Sequence, residues 1–164
     1  MKRILLLLAA GLFFNLSVQA QKMGYINTDE LMATMPEVTK VYSDLEKYSK
    51  EFQTQGEAML KERLDKIAAF EKDFPTMTDA MKEARQKEIV DLETRIQAFD
   101  TSSQQKMQAK NTELMKPIYE RIRKAIQDVG KEGGYQYILD AGGLLYAQDS
   151  DNVISQVKAK LGIK

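Results

Sequence analysis

The chain contains no cysteine, no histidine and no tryptophan, and only three prolines in 164 residues. Without cysteine there is no disulfide framework, no thiol nucleophile and no cysteine-borne lipid anchor. Without histidine the commonest general base, proton shuttle and zinc ligand are missing together. Serines such as Ser102 and Ser103 therefore have no imidazole partner to activate them. Carboxylates are plentiful, but they mix with Lys and Arg along helix-forming sequence, where a solvated surface is their ordinary role. Gly130, Gly133 and Gly134 leave a helix and precede a strand, the reverse of the order in a phosphate-binding loop. The residues predict a protein that is not an enzyme, with no catalytic, metal or cofactor-binding site and no cofactor.

An excess of charge of one sign is lacking too. The chain has 24 basic and 24 acidic residues, so it offers no partner surface for nucleic acid, whose binding rests on clustered Lys and Arg. The one long apolar run is 4–14, preceded by Lys2 and Arg3 and followed by Val18, Gln19 and Ala20. That is the layout of a cleavable export signal over 1–20. The apolar run is about eleven residues, short of the roughly twenty a membrane span needs. An uncleaved anchor is the competing reading. Cleavage before Gln21 takes the basic count from 24 to 22 against 24 acidic residues, so the mature chain is slightly negative.

What the sequence does have is helix. Pro36 suits the first position of a helix, where its missing N–H is not needed. Apolar residues then step by three and four through Val38, Val41, Leu45, Tyr48 and Phe52, and again through Met59, Leu60, Leu64, Ile67, Phe70 and Phe74. Pro75 stops this helix, and Thr76 or Thr78 can cap the next. The stripe returns at Met81, Ala84, Ile89, Leu92, Ile96 and Phe99, fades over 100–111, and recovers at Leu114, Ile118, Ile122, Ile126 and Val129. Two long helices joined by a tight turn predict an antiparallel hairpin. A turn centred near residue 76 sets Gly56 against Ile96 and Tyr48 against Gln104, so the polar stretch around 54–56 faces the one over 100–111. Little apolar area is buried there, which predicts a soft zone halfway along the arm. The return helix is the longer, and its surplus over 111–131 should run into the compact part, with Pro117 marking a kink at the junction.

Both chain ends read as small elements. Met23, Gly24, Tyr25, Ile26 and Asn27 form a short strand, and Asn27 or Thr28 can cap a brief helix. The glycines at 130, 133 and 134 end the long helix. A strand over 135–140, a Gly142–Gly143 hairpin connection and a return strand over 144–147 follow, and Asn152 can cap a terminal helix. The predicted class is α+β: a small β-rich oligomerisation body, 21–35 and 132–164, interrupted by a long antiparallel coiled-coil hairpin arm, 36–131. Some fifty residues per chain are marginal for an independent core, and oligomerisation is the usual remedy. Tyr25, Ile26, Tyr137, Leu139, Leu144 and Tyr146 are the assembly candidates, with ordinary core in one protomer as their competing role.

With catalysis set aside, capture remains. Tyr48, Phe52, Met59, Phe70, Phe74, Met77, Met81, Phe99 and Met107 are the candidate client-binding residues of the arm, because methionine and aromatic side chains adapt to many apolar partners. The competing reading is that they fill the helix seam. Phe70, Phe74, Met77 and Met81 gather at the tip, where no third element covers them.

The segment 22–28, Lys-Met-Gly-Tyr-Ile-Asn-Thr, resembles the opening strand of the OmpH/Skp family of periplasmic chaperones, and 134–140, Gly-Tyr-Gln-Tyr-Ile-Leu-Asp, with Leu145, Tyr146, Asn152, Val153 and Ile154, is similar to its closing signature. The resemblance implies a homotrimer in the periplasm. Its strands join in one body, and three hairpins enclose unfolded outer-membrane proteins without ATP, preventing their aggregation before insertion. Family members are often strongly basic and this chain is not, which leaves membrane or lipopolysaccharide contact open. A structural coiled-coil spacer or adaptor of the cell envelope is the alternative function.

Overall fold

The computed structural model describes residues 21–163; the expected export signal over 1–20 lies outside them. Strand β1 (Met23–Ile26) leads into helix α1 (Thr28–Ala33), then α2 (Pro36–Asp73), a 3-10 turn at Phe74–Thr76, and α3 (Asp79–Gly133). Strand β2 (Tyr137–Asp140) and helix α4 (Ile154–Leu161) complete the chain. The hairpin is thus a 38-residue helix returning as a 55-residue one. Its stops are those the residues dictate: Pro36 opens α2, Thr78 caps α3 through the Met81 N–H, and Gly134 ends α3 at φ 67°, where a side chain would be strained.

Helix α3 continues through Pro117 without interruption. The residues flanking it reach the core, which runs along α3 from Met115 through Ile118, Ile122 and Ala125 to Val129. The surplus of the return helix therefore packs in the body, as its length requires. Ile26, Leu31, Met35, Val38 and Val41 meet it from the front of the chain, and Val153, Ile154 and Val157 from the back. One cluster joins both chain ends with the base of the arm.

The sheet is two parallel strands, with Tyr25 opposite Leu139 and Ile26 opposite Asp140. Parallel pairing is possible because the whole hairpin serves as the crossover. Gly24 is required where β1 crosses Tyr135 and Val153, since a Cβ would stand 3.0 Å from each. On its other edge β1 accepts the Val153 N–H at Tyr25 O (2.9 Å), so the C-terminal segment is laid beside it. Asn27, rather than Thr28, caps α1, accepting from the Asp29 and Glu30 N–H groups. Asn152 accepts the Ile154 N–H at 2.9 Å and so supplies the polar start of α4.

Two expectations are corrected. Gly142 and Gly143 do not connect a β-hairpin, and 144–147 is not a strand among the described residues. The chain turns instead through a 3-10 helix at Ala141–Gly143, fixed by Asp140 Oδ1 accepting from Gly142 N (2.9 Å) and by Leu144 N donating to Ala141 O (3.0 Å). That turn takes the place of the hairpin loop, and 144–147 forms no ladder with β2. The second correction concerns Ile26: it is 2% exposed and belongs to the core of its own protomer, because it alternates inward on β1.

Asp140 also ties the sheet to α1. Its Oδ2 accepts the Thr28 hydroxyl at 2.5 Å, and this bond, then the Gly142 N–H, holds the carboxyl below the ordinary aspartate value of 3.8. The stabilisation is present above the unfolded value and is lost as pH falls from there through the lower folded value. Thr28→Ala is expected to return the Asp140 pKa toward 3.8, read from the carboxyl carbon shift during an acid titration by NMR. An unmoved midpoint defeats this assignment.

Candidate functional site

Two surfaces collect the apolar residues the core leaves unused. The first is the arm. Phe52 meets Tyr48 on its own helix with ring centroids 4.7 Å apart, and crosses the seam to Phe99 at 6.1 Å, both edge to face. Phe52, Phe99 and Met107 line an open groove of about 870 Å³ between α2 and α3. Its other walls include Ser49, Gln53, Gly56, Gln104 and Gln108. The two polar stretches seen in the sequence thus do face each other across an open concavity. The pairing is displaced by about one helical turn from the simple hairpin count: Gly56 has Phe99 opposite it, at 3.6 Å from where its Cβ would be, rather than Ile96.

The tip is a separate group. Phe70 and Phe74 pack edge to face at 5.4 Å, and the Lys82 ammonium sits 4.7 Å from the Phe74 ring. Phe74 and Met81 are exposed, whereas Phe70 and Met77 line a small recess between the helices with Ile89. Met59 is half-buried on α2 and lines neither site. Sequence reading missed Leu60, Leu64 and Val90, all exposed on the distal arm. Leu60 and Leu64 were read as seam because they fall at helical spacing; two leucines four apart sit on one face, and only the partner helix decides whether that face is covered.

Ion pairs clamp the arm on both sides of the groove. Arg63–Glu93 (3.3 Å) and Lys66–Glu88 (3.1 Å) cross the distal arm, and Arg121 pairs with Glu37 at its base. Lys66, with Arg85 beside it, holds the Glu88 carboxyl below its usual range. Glu37 is lowered by a backbone hydrogen bond and by Arg121. Exposed pairs of this kind contribute little to stability because solvent screens them, so they set register more than stability. Among the described residues no such pair crosses at the groove.

The second surface is the outer face of the sheet. Alternation sends Gly24 and Ile26 inward and Met23, Tyr25, Tyr137 and Leu139 outward. Tyr25, Leu139, Leu144 and Tyr146 line one shallow groove with Met23. Of the assembly candidates, all but Ile26 are therefore on or beside this face. Leu145, at 107%, and Tyr146, at 82%, are the most exposed large apolar residues described. Leu145 and Met23 were not among the assembly candidates, although both stand in the terminal segments that resemble the family.

Among the described residues no group of three or more acidic side chains could hold a metal ion, and no helix is long and apolar enough to cross a membrane.

Comparison with known proteins agrees with this geometry. Residues 22–161 match the family model described as outer membrane protein (OmpH-like). The chain is 23% identical over 153 residues to chaperone protein Skp of Vibrio cholerae, covering 93% of this chain and 90% of that one. It is 24% identical to chaperone protein Skp of Yersinia enterocolitica, with 92% of each covered. It is 26% identical to that of Photorhabdus laumondii, with 96% and 97% covered. The fold matches a crystal structure of an OmpH-like protein from Caulobacter crescentus with a TM-score of 0.75 at 13% identity, over 87% of this chain and 84% of that one. A family match spanning both chain ends and the arm between them means that this chain belongs to the OmpH-like family.

Proposed function

We propose that the protein is an ATP-independent holdase chaperone that keeps unfolded outer-membrane proteins from aggregating in the periplasm, working as a homotrimer exported through a signal cleaved after Ala20. The observation that carries the reading is the arm itself, which ends in exposed Phe74 and Met81 and opens midway into a groove floored by Phe52, Phe99 and Met107. Many separate apolar contacts, each weak, hold a chain by effective concentration while letting every contact exchange. The full-length relatives that carry the chaperone name support the same reading.

The trimer is supported by the apolar outer face of the sheet, since monomeric soluble proteins rarely leave such a patch uncovered. Cleavage after Ala20 spares Lys22, whose ammonium donates to Gly133 O at 2.8 Å and lies 4.1 Å from the Tyr135 ring, so the mature chain keeps its first anchor at the end of α3.

Light scattering of a diluted, urea-unfolded outer-membrane barrel tests the function. The mature protein is expected to suppress the scattering at one trimer per client, and Phe74→Ser with Met81→Ser to weaken suppression severalfold without changing mass in solution. Unhindered aggregation in the presence of the wild type would leave the adaptor reading in its place.

A further inference from the structure

The mid-arm groove has a wall chemistry that its apolar floor does not explain. Helix α3 places Gln104, Gln108 and Asn111 along it, and among the described residues their amide groups have no hydrogen-bond partner in the chain. Two other polar lining groups are already engaged: Ser103 donates to Phe99 O at 2.7 Å, and Gln53 to Glu57 at 2.9 Å. A side-chain amide carries both donors and acceptors, the complement of a bare main chain. A folded partner has those main-chain groups paired internally.

We propose that the groove binds extended, unfolded main chain, about seven residues long, in which apolar side chains alternate with basic ones. The class of occupant rests on the holdase reading above. Length follows from geometry: Leu45 to Leu60 covers about 22 Å of helix, which about seven extended residues match at roughly 3.3 Å each. The amides at 104, 108 and 111 span about 10 Å, the length of about three extended residues, so they meet successive main-chain groups whatever the sequence. Phe52, Phe99 and Met107 take the inward apolar side chains. Charge sets the alternation. Glu57 and Asp100 are the charged residues lining the groove, and their carboxylates complement basic side chains on an occupant. The ion pairs beyond each end of the groove hold the helices together while leaving this space between them.

Fluorescence anisotropy of two labelled, end-capped heptapeptides on the mature protein tests the site, one alternating Phe with Lys and the other Phe with Glu. The Phe–Lys peptide is expected to bind, with the Phe–Glu peptide at least about fivefold weaker, and Glu57→Gln with Asp100→Asn to erase the difference. Gly56→Leu should fill the groove, because a Cβ there meets Phe99 only at ordinary contact, 3.6 Å, and should cost about tenfold in affinity at unchanged helix content. Gln104→Leu with Gln108→Leu removes the amides without adding volume and should cost a similar factor. Equal binding of the two peptides, or unchanged affinity in the leucine variants, overturns the site. Wild type that protects an unfolded barrel yet binds neither peptide overturns the groove alone. Peptide binding without protection upholds the groove and overturns the holdase.

Discussion

Replacing Leu139 with aspartate is expected to leave the mature protein as single chains at micromolar concentration, seen as a drop to one third of the wild-type mass in sedimentation equilibrium. Leu139 sits opposite Tyr25 in the parallel register, on the outer face that also holds Tyr137 and Met23. In one protomer this face meets water, so the new carboxylate costs the isolated fold little. In an assembled body it must lose that water against apolar neighbours, and an unpaired buried charge costs several kcal/mol. In the proposed trimer that penalty recurs at each copy. Helix content by circular dichroism should hold, because Leu139 is outside the protomer's core cluster. A sedimentation profile identical to wild type, with wild type trimeric, would show that Leu139 is not at the interface. Wild type running as a monomer would remove the trimer itself.

Leu139 and Ile26 also show what periodicity can and cannot deliver. Both were read as assembly residues from strand alternation, yet they point to opposite faces, and the inward one is decided by α1 and α4, which come from opposite ends of the chain. The hairpin was legible throughout because its signals are local: Pro36, Pro75, Thr78 and Gly134 act on their own backbone. The fate of 144–147 was not, since a strand exists only where a second strand donates to it, and the Asp140 side chain redirects the turn. The arm groove was half legible. Two polar stretches facing each other predicted thin packing, and the structure adds which amides are left unpaired there. Exposed Leu60 and Leu64 were beyond reach, because an apolar stripe in sequence does not record where its partner helix lies.

Leu31→Ala is expected to lower the midpoint of thermal unfolding by about 10 °C or more, while Leu64→Ala leaves it within about 2 °C. The two substitutions delete the same atoms. Leu31 is fully buried between the chain ends, whereas Leu64 is 61% exposed on the arm. Emptying a closed core site costs about 2–5 kcal/mol, the lost transfer energy plus a cavity that neighbours only partly fill. That is a large share of the 5–15 kcal/mol that keeps an ordinary domain folded. It weighs more here, because among the described residues the core around Leu31 is the cluster that joins β1, α1, the base of the hairpin and α4. Assembly adds a further handle. In the proposed trimer association stabilises the folded protomer by mass action, so the Leu31→Ala and wild-type midpoints are both expected to rise with protein concentration. Equal midpoints for the two variants would mean that the protomer's own core contributes little, and that the body is held together almost wholly by contacts between chains.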